Sequence, residues 1–254
     1  MTLSATEQSS AAGSNSPVVA VALAVLLGAV GLLAGVVAGS ILFGLVSAVV
    51  AIPADSMAGN LVFTLGTYVA LATVGYLFLL GNGLPLSYVR GRAPSLRDAV
   101  WAVATVAVLV GFSSLIVPVI DALGLPSTEH SITDTIAADP AVALLFVPLS
   151  VLLVGPAEEF LYRGIIQTRL GETFDVAPTV LIAAVVFAAV HVIAYLDPAN
   201  VGGTLVTLTF VLFPLGALLG AVYERTGNLV VPAIAHGAYN AFVFGVNYAE
   251  VVGL

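Results

Sequence analysis

Apolar stretches of about twenty residues recur along this chain from residue 17 onward. A helix of that length spans the ~30 Å hydrocarbon layer of a bilayer. Between the stretches there is little polar sequence to clothe a water-soluble core. Hydrophobic residues make up 60% of the chain and charged ones 8%, against about 25% charged in soluble domains. The fold class that follows is all-α, a polytopic transmembrane helix bundle of about seven spans, or eight if the first run divides.

That first run, residues 17–53, is too long for one upright span. A break near Gly39-Ser40 would make two helices. No polar turn interrupts it, so one protruding helix is expected. Further spans are expected at 60–81, 99–123, 140–170, 176–196, 203–223 and 229–248. Residues 1–16 are small and polar without the basic start of a signal peptide, and read as a disordered tail. Residues 17–254 read as one membrane-embedded domain. Ser95-Leu-Arg-Asp98 is a capping box ahead of the third span, and 124–139 reads as an acidic loop.

Charge sets partners and orientation. All six basic residues are Arg, the net charge is −8 and there is no cysteine. Thiolate sites and cysteine nucleophiles are excluded, and a nucleic-acid surface is disfavoured. The acidic balance also suits a high-salt environment. Arg90, Arg92 and Arg97 share one loop, and counting spans puts Arg169 and Arg225 on that same side. The positive-inside rule makes those loops cytoplasmic in a multi-pass cell-membrane protein.

Ionisable groups inside spans are costly and usually functional. The fourth span carries Glu158-Glu159-Phe-Leu-Tyr-Arg163. Glu159 and Arg163 are one turn apart and can pair, which leaves Glu158 about 100° away without that partner. A structural ion pair explains one carboxylate and leaves the other unexplained. The next span carries Phe187-Ala-Ala-Val-His191, and the last His236-Gly-Ala-Tyr-Asn240. These groups lie at comparable depths and can meet in one cavity if the three helices are neighbours. His130, in the acidic loop, reads as a surface residue.

Such a set can hydrolyse an amide with an activated water. A carboxylate in a low-dielectric cavity can serve as a general base. Glu158 with His191 can hold and deprotonate the water. His236 and Asn240 can donate to the oxyanion, a contribution often worth about 10²–10³ in rate. Glu158, His191 and His236 would also make a catalytic zinc set. Their spacing is not the compact H-E-x-x-H pattern, and the Glu–Glu–Arg cluster offers a base without a metal. A metal-free site is therefore favoured, with a divalent metal left open.

With these three motifs in order, the chain resembles the CPBP family of CAAX proteases and bacteriocin-processing membrane proteins, over about residues 140–248. The resemblance implies an intramembrane endopeptidase whose cavity opens toward the cytoplasm. It implies a membrane-bound peptide or protein substrate, lipidated in some members. Carried over by position, Glu158 is the base and His191 its helper. Glu159 and Arg163 support the base, and His236 with Asn240 form the oxyanion site. The competing readings are a non-enzymatic scaffold or immunity protein, and a proton-coupled transporter. No internal repeat supports the transporter.

Overall fold

Helix starts are written into the sequence by prolines and capping side chains, and the computed structural model, which describes residues 16–254, follows them. Residues 1–15, most of the expected tail, lie outside the described residues. Helix α1, Pro17–Ser47, begins on Pro17, whose fixed φ suits a first turn. It runs unbroken past Gly39-Ser40, so the first apolar run is one helix. Helix α2, Met57–Gly81, is capped by the Ser56 side chain, which accepts from the Gly59 N–H at 3.1 Å. Helix α3, Leu96–Ala122, carries the expected Ser95/Asp98 capping box.

The 124–139 loop contains a short helix, α4, Ile132–Ala138. Seven residues are too few for a helical period to stand out in the sequence. Buried Ile136 holds it against Val142, Ala143 and Phe146. Helix α5 runs from Ala141 to Leu170, but not as a uniform α-helix. Two wider π stretches, Ser150–Val154 and Phe160–Gln167, flank Gly155–Glu159. Pro156 lacks the N–H that would close an ordinary turn there. Such insertions recur at functional sites.

Helix α6 is Val176–Val190, shorter than the expected 176–196. His191 ends it. The His191 ring Nδ1 takes the Phe187 carbonyl at 2.7 Å, the acceptor its own backbone N–H would use in an α-helix. That N–H turns instead to Ala188 O at 3.2 Å. A short α7, Val192–Tyr195, follows. Helix α8, Val201–Thr226, is capped by Asn200 and ends at Gly227 in the left-handed conformation, φ 58°. Helix α9 is Val230–Val252.

The protein is a multi-pass helical bundle, with no strand among the described residues. α1, α2, α3, α5 and α8 are long and apolar enough to cross a membrane. α6 is apolar but has only 15 residues. α9 is long enough, and His236, Asn240 and Asn247 dilute its apolarity. Outward faces carry exposed Leu33, Leu77, Val103 and Leu115, while Glu159, Arg163 and Gln167 are buried. Polar groups inside and hydrocarbon outside is the arrangement a lipid solvent favours.

Small residues let the helices close. A Cβ on Gly66 would lie 2.8 Å from Gly39 Cα, so α1 and α2 touch backbone to backbone. A Cβ on Gly155 would lie 2.8 Å from the Gly237 nitrogen, so α5 and α9 meet the same way beside the Glu pair.

Candidate active site

The Gly155–Gly237 contact lies next to Glu158 on α5 and His236 on α9, and it brings the two side chains together. Glu159 is fully buried. Its Oε1 accepts from Arg163 Nη1 at 2.9 Å and from His236 Nδ1 at 2.9 Å. Arg163 spends a second fork nitrogen on the Gly216 carbonyl of α8, at 2.9 Å. Its guanidinium lies 4.4 Å over the Phe187 ring. The pairing expected for Glu159 and Arg163 is formed, and it is one link in a chain joining α5, α6, α8 and α9.

Glu158 faces the other way. Its Oε2 is buried with no hydrogen-bond partner. It lies 3.9 Å from His191 Nε2 and 3.7 Å from His236 Nε2. These separations are too long for direct hydrogen bonds. A single water, with two hydrogens to give, would bridge Glu158 to one of these nitrogens.

The partners of the far ring nitrogens fix what the near ones can do. His191 Nδ1 faces a carbonyl, so it must carry the proton and donate. His236 Nδ1 faces a carboxylate and donates likewise. In the neutral rings both Nε2 atoms are therefore bare acceptors turned toward Glu158. His236 can donate at Nε2 only as the imidazolium. That narrows the donor role expected for it from sequence.

Three acceptors turned inward also raise the question of a cation. Imidazoles that ligate metals hold their second nitrogen in the way seen here. As folded, Glu158, His191 and His236 are not drawn together at metal-ligand spacing, nor is any other group of three His, Asp or Glu among the described residues.

All three lie on a cavity of about 600 Å³, which Asn240, one turn beyond His236, also lines. The structure thus brings together all six residues expected from sequence. It adds others. Phe187 contacts both imidazoles, with ring centroids 4.4 Å from His191 and 5.8 Å from His236. Tyr68 of α2 lines the cavity beside Glu158, as does Tyr162 of α5. Tyr68 stood in the half of the chain where no motif drew notice, and its only signal was a polar tip inside a span.

The surface reading of His130 is corrected. His130 is half-buried, lines the same cavity and packs edge-on against Tyr195 at 5.1 Å. Its Nδ1 accepts the Ile132 N–H at 3.1 Å. Burial, with His191 nearby, pushes its pKa down to about 4.

With this geometry in hand, the chain can be compared with known proteins. Residues 140–242 match the Rce1-like type II CAAX prenyl endopeptidase family. Every one of the six site residues falls within the matched stretch. By its description that family is one of endopeptidases, and the match falls on the stretch of this chain that carries the three motifs. Over 85 residues the chain is 39% identical to the uncharacterized protein YpbD of Bacillus subtilis (strain 168). The shared stretch covers 34% of this chain and 36% of that protein. The chain therefore spans only about a third of the relative's length. No solved structure matches.

Proposed function

We propose that the protein is an intramembrane endopeptidase that cuts membrane-associated peptides with a water activated by Glu158. One observation carries the reading. A buried carboxylate oxygen without a partner stands 3.7 and 3.9 Å from two bare imidazole nitrogens, on a cavity with room for a peptide.

The water gives one hydrogen to Glu158 Oε2 and the other to His191 Nε2. As it attacks the scissile carbonyl carbon, its proton passes to Glu158 and a C–O bond forms. The oxyanion accepts from the Asn240 amide. His236 joins as a second donor when it is the imidazolium, a form that Glu159 stabilises from the opposite nitrogen. Glu158 then returns its proton to the leaving nitrogen as the C–N bond breaks. Arg163 and Glu159 stay outside the proton path. They position His236, and burying them as a pair avoids an uncompensated charge.

The mostly apolar lining suits a hydrophobic or lipid-bearing segment, which extends to prenylated CAAX-type tails. The test is incubation of purified protein with a farnesylated peptide and with an unmodified transmembrane peptide, the products being mapped by mass spectrometry. Cleavage at one defined bond supports the proposal. Intact peptides in every condition, with the protein folded, would return the chain to the scaffold reading.

A second reading shares the residues. Two imidazoles with bare Nε2 and secured Nδ1, plus a carboxylate, are the donors zinc takes. A divalent metal at Glu158, His191 and His236 would supply a bound hydroxide in place of the Glu158-activated water.

A further inference from the structure

From Glu158 the residues that line the cavity run toward one end of the bundle, and the arginine-bearing loops lie at the other. At the Arg face the loop after α2 is tied down on every side. Arg90 forks onto Glu224 at 3.2 and 3.1 Å and lies 4.0 Å over the Tyr223 ring. Gln167 donates to the same Glu224 at 2.8 Å and to Gly220 O at 3.0 Å. Tyr223 donates to Val89 O at 3.1 Å, and the Leu229 N–H to Arg90 O at 3.1 Å. No cavity-lining residue comes from this loop.

From Glu158 the cavity runs the opposite way. Along α9 its wall continues from His236 through Asn240 to Asn247. On α2 it uses the half nearest the turn after α1, reaching Asn60, and it ends at Ser131 and Thr133 beside α4. These positions lie at the face opposite Arg90, Arg92, Arg97, Arg169 and Arg225. That mouth face holds Asp55, Asp121, Glu129, Asp134, Asp139, Asp197 and Glu250, with no Lys or Arg. Two expectations from sequence, cytoplasmic Arg loops and a cavity open to the cytoplasm, therefore cannot both hold. Five arginines against none is the asymmetry that sets topology, whereas acidic residues contribute little to it.

We infer that substrate reaches Glu158 from the extracytoplasmic side, as an apolar peptide segment whose flank at that surface is basic. The inference rests on the proteolytic reading above. The apolar wall takes the hydrophobic segment, and the acidic rim attracts a basic flank.

The natural absence of cysteine makes the test clean. Ser131→Cys sits at the mouth. Gly91→Cys sits in the Arg loop, where a side chain meets open space. On intact cells, a membrane-impermeant maleimide should label Ser131→Cys at once and Gly91→Cys only after lysis. The reverse pattern overturns the inference. Sidedness of cleavage is read in sealed vesicles of known orientation with an internally quenched apolar peptide, flanked by Lys in one version and by Glu in another. The Lys version added at the Ser131 face should be cut with a KM several-fold below that of the Glu version. Cutting only from the Gly91 face, or equal KM for both peptides, overturns it. Detergent micelles expose both faces. Failure to cut there counts against proteolysis itself, while cutting in micelles with the wrong sidedness in vesicles counts against this inference alone.

Discussion

Replacing Gly237 with Ala adds one methyl group, and two effects of opposite sign compete there. In a helix interior Ala is favoured over Gly by about 1 kcal/mol. Against that, the new Cβ would stand 2.7 Å from Val151 Cα and 2.5 Å from Ser150 O, where ordinary contact begins near 3.4 Å. Both neighbours are tied to backbone and cannot rotate away. Helices α5 and α9 must part by roughly 0.7 Å or more, and overpacking of this kind costs about 1–3 kcal/mol. The steric term outweighs the propensity gain. His236 rides on α9 next to Gly237, so the 2.9 Å bond to Glu159 and the 3.7 Å approach to Glu158 both lengthen. A misplacement near 1 Å can cost about 10²-fold in rate. Gly245→Ala on the same helix, where a Cβ meets nothing within 4 Å, should be neutral or slightly stabilising. The assay is peptide cleavage by detergent-purified variants alongside thermal unfolding. A Gly237→Ala enzyme with the wild-type kcat would refute the argument that this backbone contact sets the site.

Arg163→Lys should lose most activity and stability although charge is kept, because one ammonium cannot fork between Glu159 Oε1 and Gly216 O. Arg163→Met should cost about 3–5 kcal/mol by leaving Glu159 buried without its cation, seen as a lower unfolding temperature. For His130 the folded pKa is held near 4, below the ordinary value of 6.5. The unfolded chain therefore takes up that proton first as the pH falls. Stability should be complete above about 6.5 and decline toward 4, and His130→Gln should flatten that part of the unfolding curve. If Glu158 acts without a metal, a chelator such as EDTA should leave the rate of purified enzyme unchanged. Inhibition reversed by zinc would favour the metal reading at the same three residues.

The rods were readable because lipid demands long apolar helices, and the polar exceptions were readable because lipid makes them expensive. For that reason Glu158, Glu159, Arg163, His191, His236 and Asn240 stood out before any coordinates. Less visible was everything that depends on which helices touch. Gly237 looks like any membrane glycine until Gly155 is set against it. The truncation of α6 hinges on one imidazole capturing one carbonyl, an event with no periodic signature. His130 looked exposed because its loop is acidic, and only the packing of α4 and Tyr195 brings it to the cavity. Gln167 and Glu224 pair at the Arg face from helices far apart in sequence. The direction in which the cavity opens is a property of the assembled bundle, so no single segment announces it.

The role given to Glu158 faces its most direct test in the isosteric change Glu158→Gln. The amide keeps the shape of the carboxylate and removes only its ability to take a proton from water. The unfolding temperature should stay near that of the parent while the cleavage rate drops by at least about 10²–10⁴, the usual worth of a general base. A folded Glu158→Gln protein that cuts its peptide at the parent's rate would show that this carboxylate does not activate the water.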